Sequence, residues 1–425
     1  MKVFKFGGVS IQDAASMARV GDIIAEHLED PPLLVVVSAM GKTTNALEEI
    51  LKLRLQNATA WRDRLHEVHQ NHQSIGEALL PPSSRREAVL QALAHIFGLA
   101  RDLLSHETMP PRRYAYDQVV SCGELASSRL LAAYLEERGL QTLWQDIRPL
   151  LITNREWQRA TPQLHPTRHR VQERLPDWRR HQVVVTQGFL GGTDEGHTTT
   201  LGREGSDYTA AILANILNVE QMTVWKDVPG VLNADPKKIR DAVLLPALSF
   251  EEAIEMTYAG ARVLHPQTIQ PLQEKGILLH VRSFLSPNQE GTWVGGTLDR
   301  VAQPIIIIKE NQALVELTTR DLSFINERNL SRIFHEVAEA ALEIHLMQTS
   351  AVTFSMVVDH KPERIAHLEK TLSQEFIYEE KTALRLITVR HATADMLERF
   401  RAEHAIWFEQ TSDVTTKLLV LASEE

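Results

Sequence analysis

Short unbroken apolar runs alternate along the chain with stretches of helical spacing. Residues 2–6 ("KVFKF") read as a strand, a helix follows over about 13–28, Pro31-Pro32 punctuates, and "LLVVVSAM" from Leu33 reads as a second strand. A polar, mostly helical region covers about 44–104, broken at Pro81-Pro82. Then come a helix near "GELASSRLLAAYLEE", the strand "QVVVTQGFLGG", the helix "SDYTAAILANIL", the strand "MTVWKDV", the helix "SFEEAIEMTYAG" and the strand "ILLHVRSF". Ser249 and Glu252 have capping-box spacing and Gly260 is a natural helix stop. Apolar strands alternating with helices predict an α/β fold, with a mainly parallel sheet covered on both faces. Ligands of such sheets bind beyond the C-terminal strand ends, where the Gly-rich stretches of this chain fall.

The pattern changes at "NQEGTWVGGT" (288–297), read as a domain edge. Beyond it "IHLMQTSAVT" (344–353) parallels "IWFEQTSDVT" (406–415). Each copy is preceded by a strand ending "TTR" or "TVR" and then a helix, which predicts two small α+β modules side by side.

Composition changes this picture little. At 425 residues, 43% hydrophobic and 24% charged, the chain is ordinary globular material, long enough for two or three domains. Its net charge of −10 argues against nucleic acid as a partner, so an anionic ligand needs local donors. The single cysteine, Cys122, excludes an intrachain disulfide and reads as a small packed residue. No apolar run reaches the roughly 20 residues of a membrane span, and the N-terminus lacks a signal-peptide pattern. The expectation is a cytoplasmic protein with no membrane partner.

Candidate chemistry follows the strands. "KFGGVS" ends the first strand with Lys5, Gly7, Gly8 and Ser10, either a phosphate loop or a tight turn. "TLGREGSDYTAA" carries the densest signal. Gly202 and Gly205 permit close backbone approach, Arg203 can fork onto a carboxylate, and Ser206 and Asp207 open a helix whose N-terminus attracts anions. "SAMGKTTN" imitates a P-loop but has Val36 where that motif needs its first glycine, leaving Ser38 and Thr44 to meet a polar substrate. "SCGELASSRL" places Glu124 at a predicted helix start, solvated by default. Lys226 and Lys237 bracket the loop after "VWKDV", ready for a polyphosphate or simply exposed on turns. His66, His69 and His72 lack completing ligands and read as a solvated face, and His265 as a turn residue.

"KFGGVS", "VVVSAMGKTTN", "SCGE", "TQGFLGG", "TLGREGSDYTAA", "WKDVPGVLNADP" and "GARVLHP" occur in the order of the aspartate kinases, which the chain resembles over residues 1–297. The resemblance implies the amino-acid kinase fold, and the repeats of 303–425 (about 312–378 and 382–425) resemble the paired, interleaved ACT domains of that family. It implies transfer of the γ-phosphate of ATP, with Mg²⁺, to the side-chain carboxylate of L-aspartate, the entry to lysine, threonine and methionine synthesis. Lys5 would neutralise the transferring phosphoryl group and Asp207 would orient it. Gly7, Gly8, Ser10, Lys226, Asp227, Lys237 and Arg262 would meet the nucleotide, and Ser38, Thr44, Glu124, Arg203 and Ser206 the aspartate. Met347, Gln348, Thr349 and Ser350 would bind a feedback amino acid at a homodimer interface, unless the modules serve only dimerisation. His345, where lysine-sensitive relatives often carry an acid, weakens the case for lysine.

Three departures stand out. Glu204 replaces a common glycine, so the fold must point its charge away from an anionic substrate. Lys226 stands for a frequent threonine, and Arg262 for a frequent lysine. Rival readings are another amino-acid kinase, for glutamate, N-acetylglutamate or UMP, and a non-catalytic sensor. The Glu124 position speaks against the first, and the presence of both Lys5 and Asp207 against the second.

Overall fold

The computed structural model describes residues 1–28, 32–261, 264–296 and 303–422. Pro31, Arg262 and the expected boundary at 297–302 lie outside them. The chain divides into two compact units. The first comprises residues 1–231, 244–254 and 264–299, the second 232–243, 255–263 and 300–425.

The strands of the first unit are β1 (Lys2–Phe6), β2 (Leu33–Val37), β3 (Thr142–Gln145), β4 (Val183–Gln187), β5 (Leu190–Gly192), β6 (Thr198–Thr200), β7 (Gln221–Lys226), β8 (Ala247–Leu248), β9 (Leu278–Ser283) and β10 (Thr292–Val294). Eight of them form one sheet in the order β3-β4-β2-β1-β7-β9-β10-β8, while β5 and β6 make a separate hairpin. From β3 to β9 every neighbouring pair is parallel, and β10 runs antiparallel to β9. β2 and β4 are buried at every position, which is why they read as unbroken apolar runs. After β1 the chain builds the sheet to one side through β2, then returns at β7 to build the other. The crevice beyond the end of β1 is therefore a topological switch point.

The helices are α1 (Ala14–Glu26), α2 (Thr43–Leu55), α3 (Trp61–Leu79), α4 (Ser84–Ser105), α5 (Arg112–Glu137), α6 (Leu164–Trp178), α7 (Gly205–Leu217), α8 (Phe250–Ala259) and α9 (Pro266–Gln273). The Ser249 hydroxyl accepts from the Glu252 N–H at 3.1 Å, and Gly260 ends α8 at φ +115°, as the capping signals predicted. His265 caps α9 through Nδ1, a turn role as read.

Two readings are corrected here. α4 is long and apolar enough by composition to cross a membrane, which the search for apolar runs overlooked. It instead buries one face, including Leu93, Phe97 and Leu104. Of the histidines of α3 only His66 is exposed, so the three do not form a solvated face. His72 is fully buried against Phe97 and burial holds its pKa down at about 4, while His69 is half-buried against the same ring.

Cys122 is packed as expected, 3% exposed, and burial pushes its thiol up to about 12. The native protein should therefore resist a thiol-labelling reagent over minutes and titrate one equivalent once denatured. Fast native labelling would contradict this packing.

The second unit is built on a six-stranded antiparallel sheet. Its strands are β11 (Ile305–Thr319), β12 (Ile344–Thr349), β13 (Thr353–Asp359), β14 (Phe376–Arg390), β15 (Ile406–Thr411) and β16 (Thr415–Leu421), in the order β12-β13-β11-β14-β16-β15. Helices α10 (Glu327–Glu339), α11 (Pro362–Leu372) and α12 (Ala394–Glu403) accompany it. The two repeated segments become the two edge strands, β12 and β15, each entering a hairpin closed by a serine N–H. Ser350 bonds the Thr353 carbonyl and Ser412 the Thr415 carbonyl, both at 2.8 Å. Long β11 serves both halves: residues 312–318 pair with β13, residues 312–319 with the first part of β14, and residues 305–309 with its end. A segment preceding the first repeat thus lies beside the strands of the second.

Candidate active site

The ends of β1 and β2, the start of α2, the middle of α5 and the start of α7 surround an open cavity of about 980 Å³. Lys5, the penultimate residue of β1, reaches Asp207 in the first turn of α7, with Nζ to Oδ1 at 2.6 Å. Both are nearly buried, at 9% and 3% exposed. Burial alone would push the Asp207 carboxyl up, but Lys5 and then Lys226, 4.0 Å from Oδ2, hold it below its ordinary value. The result is a charged pair at the mouth of the switch point, with the ammonium beside the cavity.

The glycines after β1 have different jobs. A Cβ on Gly7 would stand 3.7 Å from the Lys5 ammonium, an ordinary contact distance, so this glycine sits beside the charge without a steric demand for glycine. A Cβ on Gly8 would meet the Ala39 carbonyl at 2.7 Å, so this glycine lets the turn pack on the loop after β2. Ser10 is buried and its hydroxyl donates to the Gly7 carbonyl at 2.6 Å. It closes the turn and is not brought to the cavity.

Glu124 is the largest correction. The helix begins at Arg112, directly after Pro110-Pro111, so Glu124 lies in its middle and only 3% exposed. Gly123, read as a helix start, is needed within the helix, because a Cβ there would stand 2.8 Å from the Ala39 Cβ. Glu124 Oε1 accepts the Ala39 N–H at 3.1 Å, while buried Oε2 has no hydrogen-bond partner. Burial raises its pKa to about 8. An acid held this way in a cavity wall awaits a cation.

Ser38, Thr44, Arg203 and Ser206 line the same cavity. Glu204 lines it too, with buried Oε2 lacking a partner, so the fold does not turn this charge away as the sequence reading required. Its backbone keeps the left-handed conformation (φ 53°) that glycine would adopt there freely. Asp227 is exposed after β7, and neither it nor Lys226 lines the cavity. Lys237 belongs to the second unit, exposed, with its N–H bonded to Asp235 Oδ1 at 2.9 Å.

In the second unit Met347, Gln348, Thr349 and Ser350 are exposed at the β12 edge and its turn. His345 beside them is buried, with Nε2 2.9 Å from both Lys309 Nζ and Asp359 Oδ1. Burial, followed by the Lys309 charge, lowers its pKa against the pull of Asp359.

Sequence reasoning missed Asp117, Tyr116, Gln158 and Arg159, of which the last two and Tyr116 line the cavity. Asp117 lies seven residues before Glu124 on the same helix, hence on the same face, and that spacing was the available signal.

The amino acid kinase family model matches residues 1–283. Lysine-sensitive aspartokinase 3 of Escherichia coli (strain K12) is 34% identical over 362 residues, covering 84% of this chain and 78% of that protein. Aspartokinase 1, chloroplastic, of Arabidopsis thaliana is 33% identical over 369 residues, and the chain spans 63% of its length. Crystal structures of E. coli aspartokinase III align over 99% of this chain and 96% of theirs at 30% identity. The complex with lysine and aspartate (T-state) has a TM-score of 0.80, and that with aspartate and ADP (R-state) 0.79.

Proposed function

The chain belongs to the amino acid kinase family, and within it to the aspartokinases; from that premise we propose how its own residues divide the reaction. It is an ATP-dependent phosphotransferase that places the γ-phosphoryl group of ATP on the side-chain carboxylate of L-aspartate. A carboxylate oxygen bonds to the γ-phosphorus, the bond to the ADP oxygen breaks, and 4-phospho-L-aspartate and ADP leave. No general base is needed, because the attacking carboxylate is ionised at neutral pH. Catalysis is positioning and charge stabilisation.

The Lys5–Asp207 pair, 2.6 Å apart and facing the cavity that buries Glu124, carries this reading. Lys5 places its ammonium on the transferring phosphoryl oxygens, and Asp207 fixes it. Gly7 and Gly8 line the phosphates, and Lys226 and Asp227 serve the nucleotide. Mg²⁺ arrives with ATP as substrate, held by phosphate oxygens and water. Glu124 takes the α-ammonium of aspartate and Arg203 its α-carboxylate, with Ser38, Thr44 and Ser206 supplying hydrogen bonds. Residues 1–297 form the kinase domain and 303–425 the paired ACT modules, where Met347–Ser350 receive a feedback amino acid in a cytoplasmic homodimer or higher oligomer.

Hydroxylamine trapping tests the reaction. ATP, Mg²⁺ and L-aspartate should yield the aspartyl hydroxamate, and glutamate should yield none. Product from glutamate alone, or from neither, would overturn the assignment.

A further inference from the structure

Asp117 and Arg159 stand outside every role given so far. Asp117 is fully buried on α5, yet its carboxylate is saturated with hydrogen bonds. The Gln158 N–H lies 3.0 Å from Oδ1 and 3.2 Å from Oδ2, the Thr200 N–H donates to Oδ2 at 3.0 Å, and the Thr200 hydroxyl to Oδ1 at 2.8 Å. One carboxylate therefore holds two separate chain segments, the loop before Ala160 and the end of β6.

Those segments also bind each other. The Ala160 N–H donates to the Thr200 carbonyl at 2.9 Å. Gly202, at φ +80°, packs so closely that a Cβ would stand 3.1 Å from the Gln158 carbonyl and 3.6 Å from the Arg159 Cγ. Arg159 and Arg203 are thus presented from two zipped strands of chain, and both line the cavity. Both are exposed, and neither guanidinium has a carboxylate partner among the described residues. In a chain of net charge −10, two unpaired guanidiniums on one cavity wall mark a place for an external anion.

Building on the reading above, we propose that Arg159 is a second carboxylate-binding side chain of the acceptor site. It acts with Arg203 on the α-carboxylate of the substrate, and Asp117 is the positioning residue that sets both. The attacking side-chain carboxylate must face Lys5 at the end of β1, which leaves the α-carboxylate for the arginine wall.

The test uses the full chain, L-aspartate, and β-alanine, which lacks only the α-carboxylate, as a competitive inhibitor. Arg159→Ala should raise KM for aspartate roughly tenfold to a hundredfold, the loss of charge-assisted hydrogen bonds, with Arg159→Lys in between. Inhibition by β-alanine and KM for ATP should stay within twofold. Asp117→Asn should raise KM for aspartate without raising KM for ATP, and adding it to Arg159→Ala should cost less than the product of the two effects. An unchanged aspartate KM in Arg159→Ala, or equal losses for aspartate and β-alanine, would overturn the Arg159 role. Equal rises in KM for both substrates in Asp117→Asn would overturn the positioning role. Absence of aspartate turnover in the unsubstituted protein would instead sink the functional assignment itself.

Discussion

Lys5→Ala should lower turnover with ATP and aspartate by about a thousandfold or more, the scale of removing a charge that meets a transferring phosphoryl group. The same change strips a 2.6 Å partner from a carboxylate that is 3% exposed. Breaking a buried pair costs about 3–5 kcal/mol, so the single variant should also melt earlier. Two features limit that loss. Lys226 remains 4.0 Å from Oδ2, and burial without Lys5 pushes the Asp207 carboxyl up towards protonation.

The double variant Lys5→Ala/Asp207→Asn separates the two effects. With the buried charge gone, melting temperature should recover most of its loss while turnover stays at the level of Lys5→Ala. Recovery of turnover along with stability would mean that Lys5 only holds the fold. Asp207→Asn alone leaves the ammonium in place but unfixed. It should lose less turnover than Lys5→Ala, because the charge survives and only its position is lost.

The pair shows what the sequence could and could not convey. Lys5 and Asp207 were both legible, because each sits where a strand ends or a helix begins and such places have local signatures. Their 2.6 Å contact joins residues 202 positions apart, and no local pattern encodes that. The same limit explains Glu124. A glycine beside a cysteine looks like a helix start, and only the neighbouring Ala39 Cβ reveals that Gly123 is a packing requirement inside a long helix. Ser10 looked like a phosphate ligand because a turn and a phosphate loop demand the same small residues. The tandem repeat was visible as two similar strings. The use of one long strand, β11, by both halves was not, since strand pairing is a property of the sheet. Glu204 misled for another reason. Electrostatics required it to face away, but its left-handed backbone position in the wall was already fixed by the turn into α7.

Glu124→Gln should show the second large effect, and its pH dependence identifies the cause. Burial places the Glu124 pKa near 8, so at neutral pH the free protein holds a proton there. The ammonium of aspartate favours the carboxylate, so binding below pH 8 should release that proton. Calorimetry in two buffers of different ionisation enthalpy reads this release directly. Affinity for aspartate should rise about tenfold per pH unit up to about pH 8 and then level. In Glu124→Gln the slope and the proton release should vanish, and KM for aspartate should rise about a hundredfold at pH 8, less at pH 6.5. Stability follows the opposite course. The folded pKa lies above the unfolded one, so the folded state binds the proton more tightly and this group's contribution declines as pH rises from about 4.5 to about 8. Relative to the unsubstituted protein, Glu124→Gln should therefore gain melting temperature between pH 6 and pH 8.5 while remaining the poorer binder. A pH-independent aspartate affinity in the unsubstituted protein would remove Glu124 from the ammonium site, because a buried acid facing that charge has to exchange its proton for it.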